Sequence, residues 1–183
     1  MKVISGNLKG RKLTVPRGHK VRPTGARVKE ALFSILAEGV IGADVLDLFS
    51  GTGNIGVEAL SRGANSSLFI ENDPKTLLIL EKNLRELSLI NRSKVIKLDV
   101  PRGLKLLHKG GAKFDIIFID PPYIYPKIWD IFSAVSKYDI LKEGGIVVWE
   151  HDSKKIPKLQ YGTLKMIETK KYGDTAITFF TKE

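Results

Sequence analysis

The sequence predicts an α/β fold in which a doubly wound, mostly parallel sheet lies between layers of helices. Short apolar segments rich in β-branched residues alternate with segments of helical periodicity, which is the pattern of repeated strand–helix–strand units. The first central segment, Val45–Phe49, runs directly into a loop containing Gly51, Gly53 and Gly56. Each predicted parallel strand before the last also ends close to an acidic residue. These observations place a ligand crevice at the carboxyl edge of the sheet.

The first 30 residues form a basic arm, with nine Lys or Arg residues and one acid, Glu30, in a chain of net charge +10. Two short strands are predicted here, Lys2–Ser5 and Lys12–Val15, joined through a turn that ends at Gly10. A solvated basic face is the alternative explanation of the charge. Because the charge is concentrated beside a predicted catalytic unit, we interpret this segment as a polyanion-binding arm.

A helix is predicted after the arm, from Thr24 to about Ala37. Thr24 can cap its first turn, and apolar residues recur at helical spacing as far as Leu36. This stripe indicates a face packed on the core rather than a ligand pocket. We therefore divide the chain into a basic N-terminal extension, residues 1–40, and a catalytic domain, residues 41–183.

The remaining elements alternate as the fold class requires. Helices are predicted from the glycine loop to Gly63, over Pro74–Leu89, to about His108, and over Lys127–Ser136. Strands are predicted at Ser67–Ile70, Lys94–Leu98, Asp115–Ile119 and Gly145–Trp149. The C-terminus differs, because two strand-like segments joined at Gly173-Asp174 favour a tight antiparallel hairpin.

The glycine loop predicts a nucleotide-cofactor site, in which Gly51 and Gly53 let backbone N–H groups approach the ligand closely. The pattern also fits the dinucleotide motif GxGxxG, so the glycines alone leave an NAD(P)-dependent reductase open. Asp47, four residues before Gly51, favours another cofactor, because a bound ammonium or sulfonium group needs a carboxylate partner. Asp47 could instead only brace the loop backbone.

Acids at the ends of four successive strands are predicted to converge on the crevice: Asp47, Glu71, Asp99 and Asp120. Glu71 lies 20 residues after Gly51, where an acid can accept both hydroxyls of a ribose. Asp99 could accept a hydrogen bond from an adenine amino group. For both Glu71 and Asp99, capping of the following helix is the alternative.

The most specific motif is Asp120-Pro121-Pro122-Tyr123, which follows the apolar strand FDIIFI. The two prolines fix φ and remove two N–H donors, so carbonyl oxygens stay free to accept. The Asp120 carboxylate and the Pro121 carbonyl can then hold the two hydrogens of an exocyclic amine, while the Tyr123 ring stacks on the base. An ordinary turn with a packed aromatic ring is the alternative interpretation.

With these motifs, the whole chain resembles the RsmD family, the bacterial small-subunit rRNA guanine-N2 methyltransferases. The segments that carry the resemblance are ISGNLKGRKL, RPTGARVKEALFSIL, VLDLFSGTGNIGVEALSRGA, IEND, DPPY and KYGDTAITFF. The resemblance implies a Rossmann-like class I methyltransferase sheet, S-adenosylmethionine as cofactor, and small-subunit rRNA or an assembling subunit as partner. It also implies that Arg22 and Thr24 lie near the methionine end of the cofactor, and that the basic residues Arg11, Lys12, Arg17 and Arg22 contact RNA.

The motifs leave alternatives and one departure. DPPY is shared with adenine-N6 methyltransferases of DNA and RNA, so it predicts amine chemistry without naming the base. A reductase would explain the glycine loop but neither DPPY nor the arm, and a non-enzymatic RNA-binding module would explain the arm alone. Ala26 stands where the family pattern has an aspartate, which bears on the start of the helix and not on the chemistry.

Composition excludes some other classes. Without cysteine the chain has no disulfide, no thiolate zinc site and no cysteine nucleophile of the kind that base-carbon methylation uses. No segment approaches 18 apolar residues and no apolar leader follows Met1, so we expect a cytoplasmic protein without a membrane partner. His19, His108 and His151 show no ligand spacing. We expect them to be solvated, and we expect a monomer without a metal.

Overall fold

A computed structural model describes residues 1–16, 24–122 and 125–182. The helices are α1 (Thr24–Leu36), α2 (Asn54–Ser61), α3 (Pro74–Glu86), α4 (Val100–Lys109) and α5 (Ile128–Lys137). The strands are β1 (Asp44–Asp47), β2 (Ser66–Ile70), β3 (Ser93–Ile96), β4 (Phe114–Ile119), β5 (Leu141–Asp152), β6 (Gln160–Tyr161), β7 (Leu164–Tyr172) and β8 (Thr175–Lys182). Within these described ranges, no helix has the length and apolar character needed to cross a bilayer.

The strands of the described ranges form one sheet in the order β3-β2-β1-β4-β5-β8-β7-β6. Strands β1 to β5 pair in parallel, whereas β8 is antiparallel to β5 and β7 is antiparallel to both β8 and β6. The predicted doubly wound sheet with an antiparallel C-terminal hairpin is therefore confirmed. The strand order reverses between β1 and β4, which is where the ligand crevice of such a sheet opens.

Both faces of the sheet are covered, because alternate residues of each strand point to opposite sides. On one side, Val45 and Phe118 pack with residues of α1, α2 and α3. On the other side, Leu46 and Ile117 pack with residues of α4 and α5. Burial on both faces explains why these strands are almost continuously apolar in the sequence.

Helix α3 ends at Glu86, three residues before the predicted end at Leu89. Ser88 adopts a φ of 57°, and its N–H donates to the carbonyl of Arg85 at 3.0 Å. The N–H of Leu89 donates to the carbonyl of Leu84 at 2.8 Å. This pair of bonds is a Schellman motif, formed here with serine in the left-handed position where glycine is usual, so the sequence did not signal it.

The C-terminal half of the sheet is larger than predicted. Strand β5 extends past the predicted Gly145–Trp149 as far as Asp152, which pairs with Thr175 of β8. The edge strand β6, Gln160–Tyr161, was not predicted, since two residues carry no periodic pattern.

The N-terminal arm is docked on the rest of the chain along α2 and α3. Its two predicted strands are reduced to one antiparallel bridge, between Lys2 and Lys12. The reason is that the N–H groups of Ile4 and Ser5 donate to the Glu58 carboxylate of α2, at 2.9 and 3.0 Å, instead of to a partner strand.

The turn of the arm lies beside the last turn of α2. Gly6 comes so close that an added Cβ would stand 1.8 Å from the carbonyl oxygen of Ser61, which also accepts from the N–H of Asn7 at 2.8 Å. Arg11 donates to the carbonyl of Glu86, at the end of α3, at 3.2 Å. Because helices of a doubly wound fold run antiparallel to the strands, the turn of the arm points away from the carboxyl edge of the sheet.

A buried ion pair joins α1 to α2. Lys29 Nζ lies 2.8 Å from Glu58 Oε2, and neither side chain is exposed by more than 2%. Lys29 also donates to Asn54 Oδ1 at 2.8 Å and to the carbonyl of Lys2 at 3.2 Å. Lys29 was counted with the basic charge of the arm, but its charge is neutralised inside the protein and cannot meet a polyanion.

The boundary between the N-terminal extension and the catalytic domain, at residue 40, stays a prediction.

Candidate active site

The glycine loop joins β1 to α2 at the carboxyl edge of the sheet. Gly51 and Gly53 have φ of 53° and 87°, in the left-handed region. A Cβ on Gly53 would stand 2.6 Å from Leu80 Cδ1, and one on Gly56 would stand 2.3 Å from Phe69 Cε1. The first two glycines therefore permit the turn, while Gly53 and Gly56 also permit close packing of α2 on its neighbours.

Asp47 lies inside this loop and is 1% exposed. Its Oδ2 accepts a hydrogen bond from the N–H of Gly56 at 3.0 Å. Burial raises the pKa of Asp47 to about 7, and the charges of Asp120 and Glu71 act in the same direction, while the bond from Gly56 opposes them. In this geometry Asp47 braces the loop, as the alternative interpretation proposed. Direct contact between Asp47 and a cofactor stays a prediction.

Glu71 fastens the glycine loop to the end of β2. Its Oε2 accepts from the N–H of Gly51 at 2.9 Å, and its Oε1 accepts from the N–H groups of Asn72 and Asp73, both at 2.8 Å. The cap of α3 is Asp73, whose side chain accepts from the N–H of Thr76 at 2.7 Å. The alternative of a helix cap is therefore wrong for Glu71, which presents its carboxylate to the crevice.

Asp99 does cap the following helix. Its Oδ1 accepts from the N–H of Arg102 at 2.9 Å, and its Oδ2 lies 3.3 Å from Arg102 Nε. The same residue also lines a cavity of about 180 Å³ at the carboxyl edge. The lining of this smaller cavity is Phe49, Ile70, Glu71, Asn72, Leu98, Asp99, Val100, Pro122 and Tyr125. Its walls are largely apolar, with carboxylates at the rim.

A larger cleft of about 620 Å³ adjoins the smaller cavity and shares Phe49, Glu71, Asn72 and Pro122 with it. Asp120 and Pro121 lie in this cleft, next to Gly51 of the loop. One side of Asp120 is exposed to water in the cleft, and protein atoms surround its other sides. This partial desolvation raises the pKa of Asp120 to about 6, which still leaves the carboxylate mostly ionised at neutral pH.

Some of the other predicted site residues lie wholly or in part outside the described ranges. Arg17, Arg22 and Tyr123 are outside these ranges. Thr24 is the first residue of α1, and its side chain is not described. On the arm, Lys12 is exposed at the bridge to Lys2.

Aromatic residues of the two cavities were missed by the sequence analysis. The rings of Phe49 and Tyr125 meet edge to face, with centroids 5.0 Å apart, on the wall of the smaller cavity. Burial raises the pKa of Tyr125, and the charges of Asp99 and Asp130 add to this effect, so its phenol stays neutral.

The expectation of a solvated histidine is wrong for His151. Its ring is buried in the wall of the larger cleft, stacks on Trp149 with centroids 4.0 Å apart, and bonds through Nε2 to Thr178 Oγ1 at 2.7 Å. Trp149 and His151 stand two residues apart on β5, so they share one face. Extending the predicted strand past Trp149 would have found this contact.

No group of three or more acids and histidines that could hold a metal ion occurs in residues 1–16, 24–122 and 125–182. The expectation of a reaction without a metal stays a prediction. The arrangement offers two joined cavities, a carboxylate at their junction and a second carboxylate beside prolines. It can hold a nucleoside-containing cofactor next to a polar, flat substrate group.

Comparison with known proteins found a matching family model, related sequences and solved structures of similar fold. The family model described as Conserved hypothetical protein 95 matches residues 1–181. The Bacillus subtilis protein YlbH is 36% identical over 182 residues, covering 100% of this chain and 99% of that protein. Ribosomal RNA small subunit methyltransferase D of Buchnera aphidicola is 35% identical over 159 residues, covering 85% of this chain and 82% of that protein.

One solved structure is informative about ligands. The T. thermophilus 16S rRNA N2 methyltransferase, in complex with AdoMet and guanosine, superposes with a TM-score of 0.74 at 28% identity. The match covers 96% of this chain and 46% of that chain, so this chain corresponds to about half of the longer protein.

Proposed function

Because this chain belongs to the RsmD family, as the family model over residues 1–181 and the relatives named methyltransferase D together show, we propose that it transfers a methyl group from S-adenosylmethionine to the exocyclic N2 amine of a guanine in small-subunit rRNA. The observation that carries the proposal is the position of Asp120 and Pro121 in one cleft with Gly51 and Glu71. An amine-binding motif and a cofactor loop thus open into the same space. We further propose that the enzyme acts as a cytoplasmic monomer on rRNA or on an assembling subunit.

The residues of the two cavities fit S-adenosylmethionine. The smaller cavity offers Leu98 and Val100 to the faces of an adenine ring, with Asp99 at its edge. Glu71 Oε2 accepts one backbone N–H, which leaves it able to accept a ribose hydroxyl. The loop at Gly51 and the larger cleft then face the methionine end. When bound, the cofactor supplies an electrophilic methyl group.

Asp120 and Pro121 act on the substrate amine. Their carboxylate and carbonyl oxygens accept the two N–H groups, which turns the nitrogen lone pair out of the ring plane and toward the methyl group. Asp120 can also take the proton that the amine loses, since its pKa of about 6 leaves it ionised at neutral pH. Tyr123 is proposed to stack on the base. Alignment of two bound reactants is the main contribution of the protein.

Adenine-N6 methylation is the second candidate, since Asp120 and Pro121 would hold an adenine amine in the same way. The two candidates differ in product. Small ribosomal subunits lacking this modification are incubated with the enzyme and labelled S-adenosylmethionine, and the rRNA is digested to nucleosides. We expect the label in N2-methylguanosine. Label in N6-methyladenosine selects the alternative, and absence of labelled RNA rejects both.

Replacing Glu71 by alanine is expected to weaken cofactor binding by about 1.5–3 kcal/mol, the value of a hydrogen bond to a charged group. The glycine loop also loses the acceptor for the N–H of Gly51, which adds to the effect. Calorimetric titration of S-adenosylmethionine measures it. Asp73→Ala is the matched control, because it removes only the cap of α3. Equal cofactor affinity in wild type and Glu71→Ala contradicts the cofactor role.

The pH dependence of kcat/KM should report Asp120. Its raised pKa means that the carboxylate protonates, and loses its acceptor capacity, as the pH falls through about 6. We expect kcat/KM to be constant above neutrality and to fall toward acid with an apparent pKa near that value. Asp47→Asn serves as the control, because the pKa of Asp47 is about 7 and Asp47 could also cause the fall. The fall toward acid should persist in this variant if Asp120 causes it. A profile that stays flat down to about pH 5 contradicts this role of Asp120.

Basic residues of the arm are proposed to contribute to RNA affinity through phosphates. Each phosphate contact adds about 0.7–0.9 to the slope of log affinity against log salt. Neutralising Arg11, Lys12 and Arg17 together should flatten this slope and weaken RNA binding, without changing cofactor affinity. Filter binding over a salt series measures the slope. Lost cofactor binding with an unchanged slope would instead make the arm a cover of the cofactor site.

A further inference from the structure

The loop between β5 and β6, residues 153–159, contributes Lys155 to the lining of the larger cleft and will be called the β5–β6 loop. Its start is fastened by the N–H of Ser153 to the carbonyl of Asp174 and by the N–H of Lys155 to the carbonyl of Asp152, both at 2.9 Å. Its end is fastened by the N–H of Lys158 to Tyr161 Oη at 2.9 Å. The loop is therefore held at both ends, with Ile156 and Pro157 at its apex.

Ile156 is 88% exposed, the largest value among the exposed large apolar side chains of the described residues. It directly follows Lys155, which lines the cleft that contains Asp120. Pro157 follows and restricts the backbone of Ile156 to extended conformations. An isoleucine this exposed has no role in the core, and its place beside a lysine that lines the cleft favours insertion into a partner.

The residues around Ile156 carry positive charge. Lys154 and Lys158 are exposed and Lys155 is partly exposed. Within residues 1–16, 24–122 and 125–182, none of these three lysines forms an ion pair. Lys171 lies near as well. The pKa of His151 is lowered mainly by burial, and the positive charges of Lys155 and Lys171 lower it further. Unpaired lysines beside an apolar apex suit a polyanion that also has apolar faces.

We propose that the β5–β6 loop is an RNA-binding element in which Lys154, Lys155 and Lys158 bind phosphates beside the target base and Ile156 enters the base stack. The proposal rests on the proposed function. A guanine must leave its stack to reach Asp120, and extrusion leaves an opening between its neighbours. An apolar side chain inserted there offsets the lost stacking, as apolar wedges of other nucleic-acid-binding proteins do. The arm turn points away from the cleft and cannot supply such a wedge.

The lysines are tested by replacing Lys154, Lys155 and Lys158 together with glutamine. The matched control replaces Lys94, Lys105 and Lys109 with glutamine. These are exposed lysines on β3 and α4, toward the opposite end of the sheet. Binding to naked small-subunit rRNA is measured over a salt series. We expect the loop variant to lower the salt slope by about 2–3, from three contacts of about 0.7–0.9 each, and the control to match wild type. Equal slopes for the two variants overturn the phosphate assignment.

The wedge is tested by Ile156→Ser, with Ile156→Leu as the conservative variant. The control is Ile41→Ser, because Ile41 is 67% exposed but lies just before β1, at the amino edge of the sheet. On undermodified subunits we expect Ile156→Ser to lower kcat about tenfold, since burying one large aliphatic side chain is worth at least that factor. Affinity for rRNA should change by no more than about twofold, because the contact forms only when the base is extruded. Ile156→Leu and Ile41→Ser should behave as wild type.

The outcomes separate this proposal from the proposed function. An unchanged kcat for Ile156→Ser overturns the wedge. Weaker binding to assembled subunits with unchanged kcat and unchanged affinity for naked rRNA would mean that Ile156 docks on a ribosomal protein, which also overturns it. If the wild type methylates a base other than guanine, the proposed function fails, but the comparison of kcat values still decides the wedge. If it methylates no RNA, both fail.

Discussion

Replacing Asp120 by alanine is expected to lower the rate of methyl transfer by about 100- to 10,000-fold while leaving cofactor affinity nearly unchanged. Asp120 lines the larger cleft, but it is absent from the lining of the smaller cavity where the adenine is proposed to bind. Its loss is therefore expected to remove the proposed acceptor for the amine and no proposed contact to the nucleoside. Single-turnover transfer and calorimetric titration of S-adenosylmethionine measure the two quantities.

Asp120→Asn separates two roles of the same carboxylate. The asparagine carbonyl can still accept one amine hydrogen, but it cannot take a proton at neutral pH. If orientation dominates, Asp120→Asn should retain much more activity than Asp120→Ala; if proton acceptance dominates, the two should be equally slow. Asp130→Ala is the control, since Asp130 is an exposed acid on α5 outside both cavities. Turnover of Asp120→Ala within a few-fold of wild type removes Asp120 from the chemistry.

Replacing Glu58 by glutamine is expected to lower the free energy of unfolding by about 3–5 kcal/mol. The carboxylate is fully buried and meets Lys29, Arg62 and the N–H groups of Ile4 and Ser5. Burial alone would raise the pKa of Glu58, but hydrogen bonds from Lys29 and Ile4 hold this pKa below its ordinary value. Glu58 is therefore ionised in the folded protein. Glutamine leaves the Lys29 charge buried without a counter-charge and loosens the arm.

Urea unfolding of single and double variants measures this effect. Glu58→Gln combined with Lys29→Met should lower the free energy of unfolding by less than the sum of the single changes, because the double variant leaves neither the Lys29 nor the Glu58 charge buried without its partner. The exposed pair of Lys82 and Glu86 on α3, 3.7 Å apart, is the control, and its removal should cost no more than about 1 kcal/mol. A similarly small effect for Glu58→Gln would mean that the buried pair does not hold the arm in place.

Much of the fold could be predicted from the sequence because its signals are local. Apolar segments of strand length alternate with helical stripes, and Gly173-Asp174 marks a hairpin. The structure has all of these, with β5 longer than expected and β6 in addition. The misses have different causes. The extension of β5 depends on pairing with β8, and the end of α3 depends on Ser88 adopting a left-handed conformation for which serine carries no strong signal.

The candidate site could be predicted in outline, but the partners of its side chains could not. Acids at strand ends must converge in a parallel sheet, so the neighbourhood of Asp120 and Glu71 followed from topology. Whether an acid faces the ligand or the backbone did not follow. Asp99 caps α4 and Asp47 braces the glycine loop, as the alternatives had allowed. His151 is buried against Trp149 instead of solvated.

The sequence by itself determined the fold class, the glycine loop, the position of Asp120-Pro121-Pro122 after a buried strand and the basic character of the N-terminus. These depend on periodicity and turn chemistry within a few residues. Only the tertiary structure decided where the charges act. It buries Lys29 against Glu58, turns the tip of the arm away from the cleft and leaves Ile156 exposed next to Lys155, which lines the cleft. Those outcomes depend on contacts between residues far apart in the chain, and the burial and pairing of a charge are set by such contacts rather than by its neighbours in sequence.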